Sequence, residues 1–264
     1  MPQRIKLRAF VVLLAVLTAE AARASGPPQS VVVRLTPSVI PMGTFYSGAK
    51  VHVEGTVPLD AQVIIAFRGP EVTEVFNQVG RAGPIWVNTG KVSISGIPSL
   101  LLVFSSKRVC DCLCREEIDR GQFDAVALKN KIKIKPLTKN ADLVAGEFLK
   151  LKYRQGSYQL DNGGVELADA EEQRAAYTLD FVWPRSAPPG TYLVRVCACQ
   201  GGNISDSLEI PLQVVEIGFP AMVADLAKER PATYGIISVV IAVLAGFGID
   251  FLTTRIFKKK ISAH

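Results

Sequence analysis

Residues 190–200 read GTYLVRVCACQ, a run that alternates for most of its length. In an extended chain successive side chains point to opposite faces, so Tyr192, Val194, Val196 and Ala198 take one side and Leu193, Arg195, Cys197 and Cys199 the other. The first set has the composition of a core face. The second turns two thiols and an arginine toward whatever covers the strand.

Working outward, AAYTLDFVWP (175–184) precedes this run across RSAPPG, and SLEIPLQVVEIG (207–218) follows it. A Pro-Pro-Gly connection between two alternating runs reads as a sandwich-end turn. The N-terminal half repeats the pattern in SVVVRLTP (30–37), KVHVEGTV (50–57), AQVIIAFRGP (61–70), IWVNTGKVSISG (85–96) and PSLLLVFSS (98–106). Short strands separated by Gly and Pro turns predict a mainly β fold, an antiparallel Ig-like sandwich with one face of each sheet buried.

The period changes at about 114–156. REEIDRGQFDAVALKN (115–130) and NADLVAGEFLKLKYRQG (140–156) suit helices, with Asn140 as a cap, Val144, Phe148 and Leu151 on one face, and Gly156 as a stop. Between them Lys129, Lys131, Lys133 and Lys135 alternate with apolar or neutral residues. That pattern reads as an edge strand protected by lysines; contact with anionic lipid is the alternative. The insertion therefore interrupts a β domain expected over 25–217.

The two ends set the topology. Arg4, Lys6 and Arg8 precede an apolar run at 9–17, and Ala22 and Ala24 flank Arg23, which predicts a signal peptide at 1–24 cleaved after Ala24. Near the other end 235–249 carries no charge, and 234–252 as a helix is about 30 Å long, the thickness of a hydrocarbon core. A transmembrane helix is expected over 233–254, after a juxtamembrane segment at 218–232 whose Phe219, Met222, Val223 and Leu226 share a side. Arg255 and Lys258–Lys260 open a basic tail at 255–264, which the positive-inside rule places in the cytoplasm. The expected location is an inner (plasma) membrane crossed once, with the N-terminal domain in the periplasm or outside the cell.

Charge agrees with this division. The chain has 30 Lys+Arg and 24 Asp+Glu, a formal +6. Setting aside Arg4, Lys6, Arg8, Arg23, Arg255 and the three tail lysines, with Glu20 and Asp250, leaves 22 of each sign outside the membrane. The excess is a mark of topology, and nucleic-acid binding, which needs a basic patch on the folded body, is not expected.

Several stretches in order resemble an uncharacterised group of transmembrane proteins common in alphaproteobacteria. They are FYSG (45–48), VIIAFRGP (63–70), GPIWVN (83–88), GIPSLLLVFSS (96–106), GSYQ (156–159), PPGTYLVRV (188–196), VVEIGF (214–219) and ATYGIISVVIAVLAGFGIDFLTTRIF (232–257). The resemblance implies an exported domain on one C-terminal span. It also implies an accessory role beside a membrane transporter, since some members accompany predicted sulfite-exporter-type permeases. The cysteines are not part of that pattern.

All five cysteines fall in two short segments, VCDCLC (109–114) and VCAC (196–199). If VCDCLC is extended, Cys110, Cys112 and Cys114 share one side and can face Cys197 and Cys199. An oxidising compartment favours disulfides between the two groups, with one thiol left over. A thiolate site for copper or zinc is the second reading, and a redox dithiol the third. The Cys-x-Cys spacing is not that of structural zinc sites.

Other chemistry is sparse. The histidines are His52, on the polar side of a strand beside Glu54, and His264; no P-loop, dinucleotide fingerprint or H-E-x-x-H occurs. Trp86 and Asn88 could line a pocket, with core packing the commoner role for such an aromatic. Within the span, Asp250 is an acid near the cytoplasmic end, and Ala242 with Gly246 forms a small-x-x-x-small pair that could admit a second helix. These features predict a single-pass, membrane-anchored binding or accessory protein with no resident cofactor. Its expected partners are the bilayer and an integral membrane protein of the transporter kind. Thiol-based copper or zinc handling, or thiol redox chemistry, is the alternative.

Overall fold

The structure is a computed structural model that describes residues 31–136, 140–169 and 174–261. The leader expected at 1–24 lies outside the described residues. The chain divides into two compact units, one holding Gly48–Gln213 with the segment ending at Ser38, the other Val39–Ser47 with Val214 onward.

In the first unit, β1 (Val32–Thr36), β3 (Lys50–Pro58), β10 (Glu166–Asp169) and β11 (Arg174–Val182) form an antiparallel sheet ordered β1–β3–β11–β10. The period of two works as expected: Val51, Val53 and Val57 of β3 are buried, as are Ala175, Tyr177 and Leu179 of β11. Gly55 interrupts the valine row because Tyr177 lies opposite it and donates its hydroxyl hydrogen to Val32 O at 2.9 Å.

A second sheet takes β4 (Gln62–Arg68), β7 (Leu101–Ser105), β9 (Tyr158–Asn162), β12 (Gly190–Gln200) and β13 (Asn203–Glu216), in the order β13–β12–β4–β7–β9. Phe67 of β4 meets Phe181 of β11 at 4.8 Å between ring centres and Trp183 at 5.8 Å, so the two sheets share an aromatic core. The other face of the second sheet is also covered. Ile64, Ala66, Leu101, Val103, Cys197 and Cys199 belong to a buried cluster with residues of the helical insertion.

One pairing departs from the antiparallel expectation. β7 and β9 run parallel, Leu101 beside Tyr158 through Ser105 beside Asn162. Parallel neighbours need a long crossover, and the helical insertion is that crossover. It comprises α1 (Val109–Cys112), α2 (Arg115–Gly121), α3 (Ala125–Lys131), β8 (Lys133–Lys135) and α4 (Ala141–Arg154).

The stretch expected as one helix at 115–130 is two. Gln122 adopts a left-handed φ of 55°, its side chain accepts from Arg68 Nη2 at 2.6 Å, and Phe123 tucks into the core. Gly121 precedes the break because a Cβ there would lie 2.1 Å from the Phe123 ring. Asp124 restarts the helix by accepting the Ala127 N–H at 2.7 Å, an N-cap its residue type favours.

A third sheet, ordered β5–β6–β8, contains β5 (Glu71–Ala82) and β6 (Ile85–Pro98). β8 is its edge and pairs only Lys133–Lys135 with Ser93–Ser95. Beyond that short strand β5 and β6 continue as a two-stranded ribbon. Gly83 (φ 64°) followed by Pro84 has the glycine-first pattern of a tight II′ hairpin.

The second unit contains β2 (Val39–Met42), α5 (Phe219–Glu229) and α6 (Pro231–Ile261). Ile217 N–H donates to Met42 O at 2.9 Å, and Gly218, with φ 70°, turns the chain into α5. Pro231–Thr254 of α6 is long and apolar enough to cross a membrane, about 36 Å at 1.5 Å per residue, and no part of that stretch is buried by the protein.

Candidate functional site

VCDCLC is not extended. Val109–Cys112 is one helical turn, Leu113 bridges in parallel to Gly202, and α2 begins at Arg115. The turn splits the expected row: Cys110 and Cys114 are exposed while Cys112 is buried. Cys197 and Cys199 do face the insertion and join Cys112 in the buried cluster. All five are free thiols in this structure.

Burial pushes the Cys112, Cys197 and Cys199 thiols up, Cys197 to about 11. At neutral pH they stay in the thiol form, which is the weaker nucleophile. Among the described residues no three His, Cys, Asp or Glu side chains are grouped to hold a metal ion. The buried three pack as small apolar side chains.

His52 sits across from Asp180 on β11 and hydrogen-bonds its carboxylate at 2.9 Å, which, with Glu54, raises its pKa above the usual imidazole value. This is an exposed cross-strand ion pair with no nucleophile beside it among the described partners. Trp86 and Asn88 are both exposed and outside the core. Trp86 is 70 % exposed near the ribbon's tip, and Asn88 Oδ1 accepts from Gly90 N at 3.1 Å within its own strand. In α6, Thr253 Oγ1 donates to Ile249 O and Asp250 O, and an added Cβ on Gly246 would meet nothing within 4 Å.

A cleft of about 670 Å³ lies between the ribbon and α4. β5 and β6 contribute Phe76, Val92 and Ile94, and α4 contributes Leu143, Val144, Phe148 and Leu151. Asn77, Gln78, Asn140, Glu147 and Arg154 make a polar rim. The apolar stripe legible in the α4 sequence serves two purposes. Ala145, Phe148 and Leu149 go into the core, and Val144 and Leu151, with Phe148, line the cleft. Leu143 remains 66 % exposed at the mouth, which soluble surfaces seldom leave unused inside an apolar concavity.

Two contacts fix the cleft's width. Phe76 and Phe148 meet edge-on, 5.9 Å between centres. Lys152, which is 7 % exposed, pairs with Glu74 of β5 and places its ammonium 5.5 Å from the Phe148 ring centre. Neither Glu74 nor Lys152 stands out in the sequence as a partner of the other. The available signal was Lys152 itself, four residues after Phe148 on an otherwise apolar face.

The protein family described as "Putative transmembrane protein (Alph_Pro_TM)" matches residues 30–255. Among curated proteins nothing matches the chain.

Proposed function

We propose, because the chain belongs to the Alph_Pro_TM family of transmembrane proteins, that it is a membrane-anchored binding subunit. Its β-rich body sits in the periplasm or outside the cell and docks an integral membrane partner, of the transporter kind, through the cleft between the ribbon and α4. Membership and the apolar C-terminal helix support the membrane location. The basic residues that follow the span support a cytoplasmic tail, and the basic-then-apolar leader supports export to an inner-membrane surface.

The observation that carries the docking reading is the open apolar floor of the cleft with Leu143 at its mouth. A side chain exposed in the free protein and surrounded by apolar walls gains most from being covered. A partner in the same membrane is held at high effective concentration by the shared bilayer, so a modest contact suffices.

Leu143→Glu tests this directly. Because Leu143 is exposed, the substitution should leave the thermal midpoint within about 2 °C of the unmodified protein. Affinity purification in mild detergent should recover an integral membrane protein with the unmodified chain, and at least tenfold less of it with Leu143→Glu. Recovery of the chain alone, or equal recovery with both, overturns the proposal.

A further inference from the structure

The ribbon carries a second surface on the side away from the cleft. The irregularities in the β5–β6 pairing place the extra residues on β6, so β5 alternates without interruption from Glu74 to Ala82. Phe76 turns toward Phe148 of α4, which puts Val75, Val79 and Arg81 on the opposite face. Directly opposed residues share a face, so Trp86 (across from Arg81) and Lys91 (across from Asn77) belong to it as well.

This outer face is unusual in two ways. Val75, Val79 and Trp86 are all 60 % exposed or more, three large apolar side chains on one face, with Asn77, Lys91 and Asn88 between them. Between residues 75 and 98 the only charges are Arg81 and Lys91, with no aspartate or glutamate, and neither cation is in an ion pair among the described residues. A solvated ribbon ordinarily mixes both signs. A face that mixes exposed tryptophan and valine with unpaired cations and no acid has the composition of surfaces that rest at the headgroup level of a bilayer.

We infer that the outer face of the β5–β6 ribbon docks on an anionic lipid surface, with Trp86, Val79 and Val75 entering the headgroup region and Arg81 and Lys91 pairing with lipid phosphates. The apolar residues need a medium less polar than water, and the two cations select for negative headgroups. The span tethers the body to a bilayer, which raises the effective concentration of that surface enough for one ribbon to engage it. The contact would hold the ribbon, and hence one wall of the cleft, against the membrane. The inference does not depend on what the cleft binds.

Tryptophan fluorescence decides it. The chain has two tryptophans, and Trp183 is fully buried, so Trp86→Phe supplies the background to subtract. The full-length chain is reconstituted into vesicles with brominated acyl chains, either zwitterionic phosphatidylcholine or a mixture rich in phosphatidylglycerol. The Trp86 signal should be quenched at least twofold in the anionic vesicles and much less in the zwitterionic ones. Arg81→Glu with Lys91→Glu, at exposed sites without ion-pair partners, should abolish the difference while keeping the thermal midpoint. Three results overturn the inference: no quenching in anionic vesicles, equal quenching in both, or a blue-shifted but unquenched Trp86, which would mean that protein covers the face.

Discussion

Glu74→Ala is expected to lower the thermal midpoint by about 10 °C, corresponding to about 3 kcal/mol in a body of this size. The substitution removes little packing of its own, since the Glu74 side chain is partly exposed. The loss arises at Lys152, whose ammonium is left in the protein interior beside Phe148 with its carboxylate partner gone. Removing one member of a buried pair leaves an uncompensated charge, which is far more destabilising than removing both. Lys152→Met in the Glu74→Ala background should therefore recover most of the midpoint, because methionine keeps the stem's contact with Phe148 without the charge. Thermal unfolding followed by near-ultraviolet circular dichroism checks both. Equal midpoints for Glu74→Ala and the unmodified protein would mean that the ion pair does not hold α4 to the ribbon.

Gly55→Ala should be still more damaging, at about 3 kcal/mol or more, and should reduce the yield of folded protein. A Cβ at that position would lie 1.9 Å from Val32 O and 2.6 Å from the Tyr177 hydroxyl. A backbone oxygen in a paired strand cannot move aside without breaking the β1–β3 ladder. Tyr177→Phe alone should cost only about 1 kcal/mol, the value of one hydrogen bond. It should fail to rescue Gly55→Ala, because Val32 O remains in the way. A Gly55→Ala protein as stable as the original would show that β1 is not held against β3 as described.

Much of this architecture is visible in the residue pattern. Alternation in KVHVEGTV and GTYLVRVCACQ gives the buried rows of β3 and β12, because one face of β3 and, at Cys197 and Cys199, both faces of β12 meet a packed layer. The apolar run from 235 gives the C-terminal helix, because a membrane demands composition alone. What is not visible depends on distant partners. Nothing local in LLLVFSS says that its neighbour will be parallel; that follows from where the insertion returns the chain. VCDCLC alternates as a strand would, yet the return into α2 and the bridge from Leu113 to Gly202 wind it into a turn.

The cleft was half legible. Val144, Phe148 and Leu151 stand out on α4, whereas the facing wall of Phe76, Val92 and Ile94 is set by the ribbon's register. Trp86 was expected in a core, the usual place for a large aromatic, and lies exposed instead because the ribbon outruns β8 and has no layer above its tip.

The side of the membrane on which the body resides governs the whole account, and the protein carries its own reporters for it. Cys110 and Cys114 are exposed on the body, while Cys112, Cys197 and Cys199 are buried. After mild reduction, a membrane-impermeant maleimide should add two labels per chain in intact cells and none in sealed inverted vesicles, and Cys110→Ala with Cys114→Ala should remove both labels. Labelling confined to the inverted vesicles would place the body in the cytoplasm and contradict the account.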